Sequence, residues 1–452
     1  MPRLLLVLLC SLGTLHAAAP AAAVSTPSSA PPPAALKLAD LESHPPDGRG
    51  DFTQLLAYME SVAHLVETNQ LKTGEEFFRA AELMGTIEGY DYRMARVRYE
   101  LLLAAAAKDI PAAEAALPNA WNRLLATLAR PPRIAFGPAE TPSAEDEDLP
   151  LQPAPACVQN AFKNRDRARS EAAHAKNHSE MQKIVDADQA IRQNDSKDWD
   201  HLTMEESKTI AAADRQRNRR TREIVAAGEL HTAQDFANAS LVMQHSSSFA
   251  GYQLAHELAV CSLLLGDREV GRWLVAATYD RMLGSLGHDQ RFGTQYRGSD
   301  VVRVDEAGIC DAERTALGCT KYAAIRGDAL TRTAERLVRE GRFAEAEPVA
   351  REAVAKRIEG RSPDHWNVFS GQRVVGASLL GQKKFAAAEP ELLAAYAGLK
   401  KNEAVIPPQY KVRIKDTALL LMQLYEALDR PEQAGAWREK VAEFDRAQAA
   451  QP

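Results

Sequence analysis

The sequence predicts an all-α protein assembled from helical hairpins. Alanine is abundant while aromatic residues make up only 6% of the chain. Apolar residues recur at helical spacing, and short basic or glycine-containing turns separate the apolar stretches. Small residues let helices approach closely, which suits packed hairpins better than a β-sandwich. At 452 residues the chain has room for roughly two to four domains. Its formal charge of −6 gives no basic footprint for nucleic acid.

Residues 1–23 read as an export signal: Arg3 precedes the apolar run Leu4–Leu9, and Ala17–Ala19 and Ala21–Ala23 offer small residues for cleavage. That run is too short to span a bilayer, and no other stretch is long and apolar enough. Cys10 follows Val7-Leu-Leu9 without the small residue that a lipoprotein signal places before its cysteine. The expectation is a periplasmic or secreted chain with no transmembrane helix and no lipid anchor. Residues 24–48, rich in Pro, Ala and Ser, read as a disordered tether. An N-terminal helical unit follows at 49–130, then a Pro-rich acidic linker at 131–156 containing Glu145–Asp148. A central helical domain spans 157–300 and a repeat tail spans 311–447, after a weaker break near Ser299–Glu313.

The N-terminal unit reads as a degenerate copy of the central domain. Leu71–Met84 aligns without gaps to Leu230–Met243, with Leu, Thr, Phe, Ala and Met at matching positions. Thr73 with Glu76 and Thr232 with Asp235 both mark helix starts, the threonine capping and the acid favouring the positive end. Arg281 then has a counterpart in Arg123, Asp280 faces Asn122 and His245 faces Thr86. Features shared by both copies belong to the fold. Those found only in the second copy are the better site candidates.

In the tail, Arg342-Phe-Ala-Glu-Ala-Glu-Pro348 recurs 42 residues later as Lys384-Phe-Ala-Ala-Ala-Glu-Pro390, with a looser third copy at Arg430–Trp437. These segments resemble tetratricopeptide repeats of the longer kind, and Gly360–His365 is similar to their inter-repeat turn. The glycines do not keep register: Gly341 lies two residues before its phenylalanine and Gly381 four. The resemblance implies a solenoid of antiparallel helix pairs that binds a protein or peptide. Trp366, Phe369 and Tyr396 are candidate contact residues there, or ordinary core.

The central block carries Gln244-His245, Asp280-Arg281 and Gly287-His-Asp-Gln290-Arg-Phe-Gly293-Thr-Gln295, with Asp186, Asp188 and Arg192 upstream. In these marks it resembles a bacterial domain family of unknown function, over roughly residues 160–297. Polar groups inside apolar helices must find partners or be used. The periodicity of Val270, Trp273, Leu274 and Ala277 places Arg281 on a buried face, with Asp186, Asp188 or Asp214 as candidate partners. Gln244 and His245 end the helix begun at Thr232, where a histidine's charged form is favoured. Gly287 reads as the next helix terminator. Gln290 and Gln295 either bind a polar ligand or fix a turn.

The candidate ligand-binding residues are therefore Gln244, His245, Asp280, Arg281, Gln290 and Gln295. The first functional expectation is an interaction protein whose central domain holds a small polar ligand. The alternative is a hydrolase-type enzyme with His245 as acid or base, Asp280 orienting it, and Gln290 and Gln295 beside them. No Gly-x-Ser-x-Gly elbow, His-Glu-x-x-His pair or phosphate-cradling loop is present, so no cofactor is assigned. His174 and His178 lie one helical turn apart without a third ligand, so no metal is assigned either. The basic run Arg215–Arg222 is flanked by acids and reads as a solvated helix. Cys310 and Cys319 flank a short polar segment that is open to closure by a disulfide, and Cys261 reads as a buried thiol.

Overall fold

The structure, a computed structural model, describes residues 37–44, 52–85, 92–128, 130, 154–192, 202–297, 300–301, 303–305 and 310–449. The expected export signal, most of the tether and most of the 131–156 linker lie outside those residues. The fold is all-α, with nineteen helices among the described residues. The described strands are the two-residue β1 (Tyr296–Arg297) and β2 (Asp300–Val301), paired antiparallel. The chain divides into two compact units, Met1–Cys319 and Thr320–Pro452. No helix among the described residues is long and apolar enough to cross a membrane.

The first unit begins with α1 (Leu38–Ser43) and α2 (Phe52–Glu67). Residues 38–43 were expected in the disordered tether and instead form α1. Leu38 and Leu41, three apart on one helix face, are both buried, and the Tyr58 hydroxyl donates to the Leu41 carbonyl at 2.8 Å. Next come α3 (Gly74–Gly85), α4 (Tyr92–Ala106) and α5 (Pro111–Thr127). Beyond α6 (Ala156–Lys163), α7 (Arg165–Ala172), α8 (Ser179–Arg192) and α9 (Met204–Ala226), the three-helix pattern returns as α10 (Ala233–Met243), α11 (Phe249–Leu264) and α12 (Val270–Ser285).

Both triads open on the same device. Thr73 Oγ1 accepts from the Glu76 amide at 3.2 Å while Glu76 accepts from the Thr73 amide at 2.9 Å. Thr232 and Asp235 repeat the exchange at 3.0 Å each way. The two triads share one hydrophobic core. Tyr99 of α4 meets His256 Nε2 of α11 at 3.0 Å, and Trp121 Nε1 of α5 donates to Glu257 at 3.2 Å.

The last helix of this unit, α13 (Asp311–Ala316), packs on α4. All four described cysteines are free thiols. Cys310 donates to Asn69 Oδ1 at 3.5 Å and Cys319 to the Leu317 carbonyl at 3.9 Å. The 310–319 disulfide is not formed. The two residues lie beyond opposite ends of α13, and each thiol has its own acceptor.

The second unit stacks three antiparallel hairpins: α14 (Tyr322–Arg339) with α15 (Phe343–Gly360), α16 (Trp366–Gly381) with α17 (Phe385–Lys401), and α18 (Val412–Ala427) with α19 (Pro431–Ala449). The repeated residues do repeated work. Ala346, Ala388 and Ala434 are buried where helices approach. Glu347 receives the Lys384 ammonium at 3.0 Å and the Gln382 amide at 2.9 Å from the next hairpin. One repeat later, Glu389 receives the Tyr425 hydroxyl at 2.8 Å.

The glycine mismatch has a structural cause. The residue two before each second helix is left-handed in all three hairpins: Gly341 (φ 75°), Lys383 (φ 61°) and Asp429 (φ 55°). Gly381 serves a different purpose: a Cβ there would sit 2.3 Å from the Phe343 ring. Trp366 is buried and stacks on Tyr410, while Tyr396 packs edge-on against Trp437. Phe369 fills the space left by Gly398.

Candidate functional site

The sequence-selected residues fall into two groups with different partners. Asp280 is fully buried near the end of α12, and both its oxygens are occupied by the following loop. Oδ1 accepts from the amides of Arg291 at 2.7 Å and Phe292 at 2.9 Å. Oδ2 accepts from the Thr294 amide at 2.9 Å and the Thr294 hydroxyl at 2.7 Å. Burial pushes the Asp280 carboxyl up from its usual range, while the amides of Phe292, Thr294 and Arg291 and the Thr294 hydroxyl pull against it.

Gln290 and Gln295 belong to the same stitch. Gln290 exchanges hydrogen bonds with the Gln295 backbone, accepting at 2.6 Å and donating at 3.0 Å. Gln295 Nε2 donates to the Ala277 carbonyl of α12 at 3.2 Å and to Thr294 Oγ1 at 2.8 Å. Gly287 terminates α12 as its position suggests. Its φ is 81°, its amide bonds the Gly284 carbonyl at 3.0 Å, and the His288 amide reaches back to Leu283 at 3.1 Å. Gly293, at φ 59°, makes the turn that aims the Thr294 amide at Asp280.

The second group surrounds His245. The ring Nδ1 lies 3.3 Å from each Asp188 oxygen. Asp188 comes from the last turns of α8 and also receives Arg192 NH1 at 2.8 Å and Gln189 Nε2 at 3.0 Å. Arg217 Nε of α9 lies 3.3 Å from it. Arg192 NH2 continues to Asp214 at 2.9 and 3.1 Å, which Arg217 NH2 also contacts at 2.5 Å. The i, i+4 pair on α8 and the i, i+3 pair on α9 thus interlock into a buried network of two acids and two guanidiniums. Gln244, the C-cap of α10, is 2% exposed, and its Oε1 has no hydrogen-bond partner among the described residues.

This arrangement corrects two expectations. His245 was expected to favour its charged form at a helix C-terminus. Burial instead pushes its imidazole below the usual range; Asp188 pulls back, and Arg192 and Arg281 add to the depression. Asp280 was expected to orient His245, but its oxygens are committed to the 291–294 loop and Asp188 holds the ring. Burial opposes the charge of Asp188, yet His245, Arg192 and Arg217 outweigh it and keep this carboxyl below the usual range.

Arg281 also departs from its predicted setting. The residues Leu274–Asp280 are all buried, so this part of α12 has no single buried face, and Arg281 emerges half-buried. Of the acids suggested for it, Asp188 and Asp214 are engaged by Arg192 and Arg217, and Asp186 accepts from Gln182 at 2.7 Å. Sequence reasoning missed Arg217 altogether. Its signal was the Asp214-x-x-Arg217 spacing, hidden inside a basic run that read as solvated.

His178 and His174 do not converge: His178 Nε2 faces Glu229 at 3.1 Å, and His174 Nδ1 faces the Ser170 carbonyl at 2.9 Å. No group of three or more His, Cys, Asp or Glu suited to a metal occurs among the described residues. A cavity of about 560 Å³ between α5 and the α6–α7 junction is lined by Pro118, Phe162, Lys163 and Arg165, among others, and by none of the six candidates.

Residues 176–325 match the model of a family of unknown function (DUF6624). The matched stretch contains all six candidates together with Asp188, Arg192, Asp214 and Arg217. No curated protein and no solved structure matches the chain.

Proposed function

We propose that this is an exported, periplasmic or secreted, helical interaction protein whose hairpins α14–α19, read as tetratricopeptide-like repeats, dock a protein or peptide segment. The observation that carries this reading is three exposed apolar side chains within residues 405–412. Val405 is 68% exposed, Val412 47% and Tyr410 39%. Apolar surface concentrated in one short segment is costly to leave in water and marks contact surfaces. Arg413 lies over both Tyr410 and Trp366, at 4.8 and 5.7 Å from their ring centres, and adds a cation at the edge of the patch. No nucleic-acid partner and no cofactor enter this reading.

The test uses the full chain as bait in a quantitative cross-linking pull-down, compared with the Val405→Asp/Val412→Asp variant. Exported proteins recovered by the parent chain and depleted with the variant support docking at this patch. Identical recoveries with both chains refute it.

A second reading concerns the central helices, which we assign to holding a small polar ligand beside His245. It is supported by Gln244 Oε1, which is buried and without a partner among the described residues, beside the ring that Asp188 holds. Buried polar atoms are otherwise almost always paired.

A further inference from the structure

The guanidinium of Arg413 lacks the acid that a half-buried arginine ordinarily finds. It stands in the first turn of α18, and NH1 donates to Ser370 Oγ of α16 at 2.6 Å. Its other neighbours are the rings of Tyr410 and Trp366, which stack with their centres 5.4 Å apart. Two carboxylates act on it from α14, and other arginines already hold both. Asp328 receives Arg357 at 2.9 Å and Arg361 at 2.7 Å, and Glu335 receives Arg373. Four guanidiniums therefore share two carboxylates, and Arg413 is the one that forms no ion pair among the described residues. Burial lowers it from its ordinary range; Glu335 opposes this and Arg373 adds to it. A further carboxylate relieves that imbalance.

The surroundings narrow what brings the carboxylate. Arg413 keeps part of its surface in water, and Tyr410 and Val412, just before it in the chain, are exposed. Ile406 and Ile414 are buried with Trp366 and Leu399 in a small core, which pins the segment between them in place. The acid therefore arrives beside apolar side chains on a fixed surface. A chain-terminal carboxylate is ordinarily captured by successive backbone N–H groups. Pro407 and Pro408 have none, and the donor on offer is a side chain. A phosphate, with roughly two charges, meets about twice the repulsion from Glu335 and Asp328 that a carboxylate does. The side chain of Asp or Glu in a peptide suits all three conditions.

We propose that the partner docked on residues 405–412 is a peptide segment that pairs an Asp or Glu side chain with Arg413 and sets an adjacent aliphatic side chain on the apolar surface of Tyr410 and Val412; this rests on the reading of that segment as a docking patch. The ion pair forms on the aromatic rings, where partial burial makes it stronger than one in open water. The aliphatic neighbour covers apolar surface that is otherwise left in water.

The experiment selects a random peptide library, displayed on phage by its carboxyl ends, against the full chain. Enriched peptides should carry Asp or Glu next to Leu, Ile or Val; a library that enriches no such peptide overturns the proposal. An enriched peptide, synthesised with a blocked carboxyl terminus, is then titrated by fluorescence anisotropy against the parent, Arg413→Gln and Val405→Asp/Val412→Asp. Replacing the acid of the peptide by its amide should weaken binding to the parent roughly tenfold or more and leave binding to Arg413→Gln unchanged. A peptide that loses affinity for Val405→Asp/Val412→Asp but is indifferent to the acid-to-amide exchange overturns the carboxylate and leaves the docking patch standing. Equal binding to the parent and both variants overturns both. If Arg413→Gln fails to fold by circular dichroism, the parent decides. Affinity that neither the acid-to-amide exchange nor a rise in salt from about 0.05 to 0.5 M weakens then overturns the proposal.

Discussion

Glu313 should make the first unit lose stability as pH rises, and Glu313→Gln should abolish that loss. The carboxyl sits on α13, is 2% exposed, and its Oε1 has no hydrogen-bond partner among the described residues. Burial pushes its pKa from 4.5 to about 8, with Glu100 adding to the rise and Arg291 and Arg96 opposing it. Because the folded value lies above the unfolded one, the folded state binds the extra proton. The stabilising contribution is complete below about pH 4.5, declines as pH rises toward about 8, and is absent above that. At about 1.4 kcal/mol per pH unit the total approaches 5 kcal/mol, an upper bound because local relaxation relieves part of it. Glutamine keeps the shape without the ionisation. The assay is hydrogen exchange of α4 and α13 peptides in the parent and Glu313→Gln, at about pH 5 and pH 9, corrected for intrinsic exchange. Protection should match at the lower pH, and the variant should be better protected at the higher. A difference between the two proteins that is the same at both pH values refutes the reasoning.

Three further predictions test the architecture. Asp280→Ala removes the acceptor for three amides and a hydroxyl and should destabilise the first unit by roughly 3–5 kcal/mol in denaturant titration. Exchange should rise first in residues 290–295. In the second unit, Gly381→Ala forces a Cβ against the Phe343 ring and should cost about 1–3 kcal/mol, partly recovered by Phe343→Leu. Lys383→Gly relieves a left-handed residue and should stabilise the same unit by up to about 1 kcal/mol, read by thermal or urea unfolding.

Much of the helical plan was legible because its signals are local. Thr232 with Asp235 and Thr73 with Glu76 cap their helices through bonds spanning three residues, and Gly287 ends α12 through its own positive φ. The repeat residues Phe343, Ala346 and Glu347 could be matched to their later copies by register alone. What stayed hidden depends on long-range packing. The charge state of His245 follows from its burial under α8 and α9, and the helix-end rule that predicts a favoured cation applies where water still reaches the ring. The single buried face assigned to α12 failed because Leu274–Asp280 is enclosed on all sides, a state in which periodicity carries no direction. The tether assignment erred at Leu38 and Leu41, since two apolar residues in a Pro- and Ala-rich stretch weigh little until Tyr58 covers them.

The comparison between the two triads gains a physical basis from these contacts. Polar residues present only in the second triad are of two kinds, and sequence alone gave them equal standing. Asp280, Gln290 and Gln295 spend their hydrogen-bonding capacity on one another and on backbone between 277 and 295. The first triad has Asn122 where Asp280 would stand, and its sequence carries no Gly-Thr-Gln at the matching place. His245 differs in kind, because Asp188 of α8 holds its ring. A motif whose hydrogen bonds are made within the fold explains a shape. The buried Gln244 Oε1, without a partner among the described residues and next to His245, calls for something outside the fold, and functional experiments on this protein are best aimed there.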